Sequence, residues 1–176
     1  MPLGRRNLFD RLDALGIATQ TIEHPPLFTV EDSRALRGEI PGGHTKNLFL
    51  KCKKGSLWLV VAHEETRVDL KGLSKRLGAG RFSFGNEQLL GEVLGVPAGA
   101  VTPFALINDG GQRLGVVLDQ ALLAFDRLNF HPLENSATTG ISREDLLIFV
   151  RDCGHEPVIL PLGGGEQPDQ RLGGGA

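Results

Sequence analysis

Two β-rich runs, Thr45 to Lys51 and Ser56 to Ala62, flank the turn residues Lys53-Lys54-Gly55 and predict an antiparallel hairpin. Such a hairpin excludes a purely parallel sheet, whose neighbouring strands need a long crossover. The other elements alternate without βαβ regularity. Leu8, Phe9, Leu12, Leu15 and Ile17 recur at helical spacing before and around Gly16, predicting a helix from Asn7 to Leu15. Ala18 to Glu23 reads as a strand running into His24-Pro25-Pro26, where two prolines force an extended turn. Thr29 and Asp32 resemble a capping box for a helix through about Leu36. Asp69 to Leu77 reads as a basic helix, Arg81 to Phe84 as a strand, and Asn86 to Leu94 as a helix closed by Gly95. Phe104-Ala105-Leu106-Ile107 is expected as a strand paired with Arg113 to Leu118 across Asn108-Asp109-Gly110-Gly111. Ser142-Arg143-Glu144-Asp145 caps a last helix, Leu146 to Asp152, and Val158-Ile159-Leu160 is the final strand. These elements predict an α/β (α+β) fold, with a mixed or antiparallel sheet and packed helices.

With 176 residues, 40% of them hydrophobic, the chain is long enough for one core and too short for two. A single domain is expected over residues 1–162, followed by a flexible Gly-rich tail at 163–176 that has almost nothing to bury. No apolar run reaches the roughly 20 residues of a membrane-spanning helix, so no membrane partner and a cytoplasmic location are expected. Cys52 and Cys153 are too few for a disulfide scaffold and form no CxxC. The net charge of −2 argues against a protein that grips long nucleic acid, DNA above all, by charge alone. Charge is uneven, however: Lys51 to Arg81 holds eight basic residues against three acidic ones, a net +5. Such a stretch is either a solvated face or, if it flanks a pocket, a phosphate-binding surface.

Several chemistries are excluded. Gly42-Gly43-His44-Thr45-Lys46 lacks the order of a nucleotide-binding P-loop, and Ser83 lacks a nucleophile elbow. His24, His44, His63, His131 and His155 are isolated in sequence, without metal-ligand spacing, so neither a metal nor any other cofactor is expected. What remains is a site of Lys46, Asn47, His131 and backbone groups of a glycine loop. A lysine binds phosphate or hydroxyl, an asparagine fixes a carbonyl or amine, and peptide N–H groups polarise an oxyanion. That set suits hydrolysis of an activated acyl bond.

Four segments carry a family likeness. They are His24-Pro25-Pro26-Leu27-Phe28-Thr29-Val30-Glu31, Thr45-Lys46-Asn47-Leu48-Phe49-Leu50, the GxxxP loop Gly99 to Pro103 leading into Phe104-Ala105-Leu106, and Phe130-His131-Pro132-Leu133 followed by Asn135, Ala137, Thr138 and Thr139. In this order they resemble the YbaK and prolyl-tRNA-synthetase editing-domain family, most closely its freestanding members that deacylate Ala-tRNA(Pro). The resemblance implies a mixed, partly barrel-like β-sheet with surrounding helices, and action on the 3′ end of a mischarged tRNA without metal.

By the same resemblance, Lys46 anchors the terminal adenosine region, Asn47 and His131 position the aminoacyl group, and the Gly99 loop holds the carbonyl and the attacking water. Leu27, Phe28, Thr29 and Val30, with Pro103, Phe104, Ser136 and Ala137, are expected around the substrate, Leu27, Phe28 and Val30 forming a wall that admits a methyl group and excludes a pyrrolidine ring. Lys51, Arg67, Lys71, Lys75 and Arg76 are expected to meet tRNA(Pro), with transient contact to prolyl-tRNA synthetase. Cys-tRNA(Pro) or another small aminoacyl-tRNA stays open as substrate, and so does a non-catalytic tRNA- or synthetase-binding module.

Overall fold

The protein is described by a computed structural model covering residues 1–26, 30–38 and 40–163, without the side chains of residues 30, 33, 36 and 37. The expected tail, Gly163 apart, and Leu27, Phe28 and Thr29 lie outside the described residues. Gly163 itself forms an isolated antiparallel bridge with Val68.

Along the chain run α1 (Arg5–Ala14), β1 (Gln20–Glu23), α2 (Val30–Arg37), β2 (Gly43–Cys52), β3 (Leu57–His63), α3 (Leu70–Arg76), β4 (Phe82–Phe84), α4 (Glu87–Leu94), β5 (Leu114–Asp119), β6 (Arg127–Phe130), β7 (Ala137–Ser142), α5 (Arg143–Asp152) and β8 (Val158–Leu160). The strands form one mixed sheet in the order β1-β7-β6-β2-β3-β5-β8, with β4 paired to β2. The expected hairpin is present as β2 and β3, antiparallel from Thr45 opposite His63 to Lys51 opposite Leu57. β2 also runs parallel to β6, so it joins the two halves of the sheet.

Helices α1, α4 and α5 cover one face of the sheet. Leu8, Leu12, Leu90, Leu94, Phe149 and Val150 pack there against Phe49, Leu59, Val61, Val116 and Phe130. A smaller cluster on the other face gathers Leu50, Val60, Ala62 and Val117 under Leu73 of α3. The two lists interleave along β2 and β3, as a period of two requires. Local caps set the helix ends: Asn86 Oδ1 accepts from Leu89 N at 2.8 Å, Ser142 Oγ accepts from Asp145 N at 3.1 Å, and Gly95 closes α4 in a left-handed conformation at φ 68°.

One expected element is different. Phe104–Ile107 is not a strand, and β5 pairs instead with β3 and β8, both parallel. The run belongs to a 3₁₀ segment, Pro103–Asn108. Pro103 at its first position has no N–H to lose, and Thr102 Oγ1 accepts from Phe104 N at 3.2 Å. An apolar run buried on every side has no period of two, so it fits a short helix as well as a strand. Phe104 is fully buried and meets Phe130 and Phe149 edge-on at 5.7 and 5.5 Å, contacts contributing about 0.5–1.5 kcal/mol each beyond area burial. β6 and β7 were not expected as strands.

Candidate active site

Lys46 and Asn47 stand on β2 opposite Ala62 and Val61, and therefore point to opposite faces of the sheet. Lys46 shares a face with Leu48 and Leu50, Asn47 with Phe49. Asn47 Nδ2 reaches Thr45 Oγ1 at 3.4 Å, and its Oδ1 is buried with no hydrogen-bond partner among the described residues. An orphaned buried acceptor is costly, which marks this position as one where a donor would be welcome.

The start of β2 is fastened to β6. Gly42, at φ 103°, turns the chain where a Cβ would come within 2.8 Å of the Arg127 carbonyl, a bend open only to glycine. The buried Asn129 amide donates to the Pro41 and Gly43 carbonyls at 3.0 and 3.3 Å, and Thr45 Oγ1 donates to the Asn129 carbonyl at 2.8 Å. His44 opposite Asn129 is the last parallel pair, and Lys46 and His131 each lie two residues beyond it. β6 therefore fixes where β2 presents its lysine. Asn129 is a site-building residue that sequence reasoning missed, carrying no signal beyond its place before Phe130-His131.

His131 is half-buried, and its Nδ1–H donates to the Ala137 carbonyl at 2.9 Å. Burial holds its pKa below the usual imidazole value, the Ala137 bond opposes this, and the nearby His24 adds to the lowering. The neutral ring leaves Nε2 as a lone pair with no hydrogen-bond partner among the described residues. The Gly99 turn comes against the same segment, since a Cβ on Gly99 would stand 3.4 Å from Asn135 Nδ2. That turn is a 3₁₀ helix, Ala98–Ala100, whose first N–H groups have no partner within the helix. Ser136 accepts from His24 N through its carbonyl and donates through Oγ to Glu134, while Ala137 is fully buried. Pro103 and Phe104 are core residues that can shape the site only by holding the loop in place.

The basic residues gather elsewhere. Lys51 is five residues along β2 from Lys46, about 17 Å at the usual strand rise, opposite Ser83 of β4. Two adjoining cavities of about 520 and 600 Å³ share Arg81 and Phe82 as walls, one lined by Lys71 and Ser74, the other by Lys51 and Lys53. Lys75 and Arg67 are exposed nearby in sequence, and Arg76 is tied by Nη2 to the Pro161 carbonyl at 2.8 Å. Arg81, absent from the expected set, is the basic residue common to both cavities.

The landmark Asn108-Asp109 serves the fold. Asn108 binds Leu3 and Leu94 backbone groups, and both Asp109 oxygens are occupied by Arg113 N, Leu114 N and His155. Among the described residues no group of three or more His, Cys, Asp or Glu comes together to hold a metal, and no helix is long and apolar enough to cross a membrane.

The profile of the aminoacyl-tRNA editing domain matches residues 24–149. The chain belongs to that family. It is 42% identical over 161 residues to the prolyl-tRNA synthetase associated domain-containing protein 1 of Mus musculus, covering 89% of this chain and 95% of that one. It is 38% identical over 146 residues to the prolyl-tRNA editing protein ProX of Acetoanaerobium sticklandii, covering 82% and 89%. A crystal structure described as a candidate trans-editing enzyme for prolyl tRNA synthetase superposes with a TM-score of 0.72 at 20% identity, covering 94% of this chain and 99% of that one, and shares the fold.

Proposed function

We propose that the protein is a trans-acting hydrolase of the cytoplasm that cleaves the aminoacyl ester of Ala-tRNA(Pro). The observation that carries this reading is the His131 ring, held through Nδ1 on the Ala137 carbonyl with Nε2 unpartnered among the described residues, in a segment that the Gly99 turn meets at Asn135. An ester needs only a positioned water, a lone pair to receive a hydroxyl proton, and donors for the developing oxyanion. His131 Nε2 orients the ribose hydroxyl or the water, the Gly99 amide polarises the carbonyl, and Lys46 grips the terminal adenosine region, while Asn47, on the opposite face of β2, acts only through the strand that carries Lys46.

Specificity follows from size. A synthetase built for proline cannot reject alanine by binding alone, so a second pocket must destroy the small product. In this reading Leu27, Phe28 and Val30, whose side chains lie outside the described residues, set the size limit. Purified protein is expected to release alanine from Ala-tRNA(Pro) and spare Pro-tRNA(Pro); equal cleavage of both sinks the size sieve, and a panel including Cys-tRNA(Pro) fixes the substrate. Because the folded His131 pKa lies below the ordinary value of about 6.5, the ring stays neutral until the pH falls beneath that value. The kcat/KM profile is therefore flat through neutrality and falls only below about pH 6.5. His131→Asn should abolish that acid limb. The same sign holds for stability: the unfolded ring takes up the proton first, so acidification through this window destabilises the fold.

The cavities around Arg81 offer cations to the tRNA backbone, with Lys51 and Lys71 at their walls and Lys75 nearby, while prolyl-tRNA synthetase is a transient partner. Lys51→Ala/Lys71→Ala/Lys75→Ala should weaken tRNA binding and flatten its salt dependence by roughly one to three units of slope. Filter binding across a salt series reads both, and unchanged slopes return these lysines to a solvated face. Arg76 is left out because its bond to Pro161 would mix binding with stability.

A further inference from the structure

Phe84 of β4 is 63% exposed, the one Phe or Trp among the described residues that is exposed, and it belongs to neither core cluster. Its neighbour on the same face, Phe82, packs instead, meeting the Trp58 ring edge-on at 6.3 Å. The backbone holds Phe84 rigidly all the same. It pairs with Leu50 of β2, and Gly85 N donates to the Phe49 carbonyl at 3.0 Å, where a Cβ would collide with the Phe49 ring. A lone exposed ring is ordinary on a protein surface; the setting of this one is not. On one side, Lys51, Lys53, Lys71 and Arg81 line the two cavities that Phe82 walls, with no carboxylate among the described residues of either lining. On the other, Phe84 shares a face of the sheet with Lys46, since Leu50, opposite Phe84, is four residues from Lys46 along β2. That separation is about 13 Å at the usual strand rise, the length of a few stacked nucleotides of single strand. Cations that follow phosphates, with an aromatic face between them on which a base stacks, are how proteins hold single-stranded nucleic acid.

We propose that Phe84 is a stacking platform for an unpaired base of the tRNA 3′ end, a few nucleotides before the terminal adenosine, so that the acceptor strand runs from the Arg81 cavities over Phe84 to Lys46. This rests on the deacylase reading, which supplies the tRNA and the role of Lys46. A stacked base adds to affinity at any salt concentration, whereas lysines act through phosphates. Phe84→Leu keeps an apolar side chain and removes the π face. It should weaken binding of uncharged tRNA(Pro) about tenfold and leave the slope of log K against log salt unchanged, while Phe84→Trp should bind at least as well as wild type. In deacylation the loss should fall on KM with kcat near wild type, because the platform holds ground state and transition state alike. A fluorescent purine analogue, placed in turn at each unpaired position of the 3′ end, should be quenched at one internal position by wild type and Phe84→Trp and stay bright there with Phe84→Leu. Thermal melting should not move, since the ring lies outside both core clusters. Wild-type tRNA affinity in Phe84→Leu, a flattened salt slope, or Phe84→Trp binding as weakly as Phe84→Leu would overturn the assignment. So would loss of prolyl-tRNA synthetase binding with tRNA binding intact, which would make Phe84 a protein-docking residue. If the wild type cleaves no aminoacyl-tRNA but the internal analogue is quenched through Phe84, the deacylase reading falls and the platform stands. If it cleaves Ala-tRNA(Pro) while Phe84→Leu binds normally, the platform alone falls.

Discussion

Lys46→Ala is expected to lose about a hundredfold or more in kcat/KM for Ala-tRNA(Pro) deacylation, the size of effect seen when one preorganised charge or donor is removed from a dry site. The fold should survive. Lys46 is half-buried on a strand whose pairing with Ala62 is made by backbone groups, and it has no ion pair among the described residues. Alanine therefore deletes a charge without stranding a buried partner. Lys46→Arg keeps the charge on a planar, larger head and should recover only part of the loss. Single-turnover deacylation, with circular dichroism and thermal melting alongside, reads both halves. Activity within threefold of wild type sinks the anchoring role, and a collapsed melt sinks the claim that Lys46 is spared by the fold.

Most of the elements were legible because their signals are local. Alternation along Thr45 to Lys51, the Asn86 and Ser142 caps, and Gly95 each specify a boundary through bonds made within a few residues, and each is present. The misread element, Phe104–Ile107, is one where local signal is degenerate: four apolar residues in a row say only that the run is buried. β6 and β7 were missed for a related reason. Arg127–Phe130 is short, and Ala137–Ser142 contains a glycine and small polar residues whose burial comes from partners more than a hundred residues away, such as Thr21 on Thr139. That Lys46, Gly99 and His131 share one site is an expectation of the family likeness rather than of any local pattern in the chain. The fasteners, Asn129 holding the bend into β2 and His24 clasped to Thr138, are legible only in three dimensions, since nothing about an Asn or a His in isolation says which group it will meet. The same holds for Lys46 and Asn47: adjacency in sequence suggested a joint role, and the strand turns them to opposite faces.

The largest stability effect is expected at Asp109. Its carboxylate, 2% exposed, accepts from Arg113 N and Leu114 N at 3.0 Å each and from His155 Nε2 at 2.9 Å, tying the turn before β5 to the chain just past α5. Asp109→Ala strands two backbone donors and an imidazole N–H in the interior at once. Each orphan costs about 1–3 kcal/mol, so a total near 3–5 kcal/mol is expected. For a chain of this size that is a fall in Tm of about 10 °C. His155→Ala should cost less, because the carboxylate keeps both backbone donors, and His155→Gln should recover part of it by returning an N–H. Denaturant titration of the three variants should rank Asp109→Ala as the least stable, His155→Ala next and His155→Gln nearest to wild type. Deacylation at a temperature where all are folded should stay near wild type, because Asp109 touches neither the Gly99 turn nor His131. An Asp109→Ala protein that melts normally but no longer cleaves its substrate would move this carboxylate from the scaffold into the site.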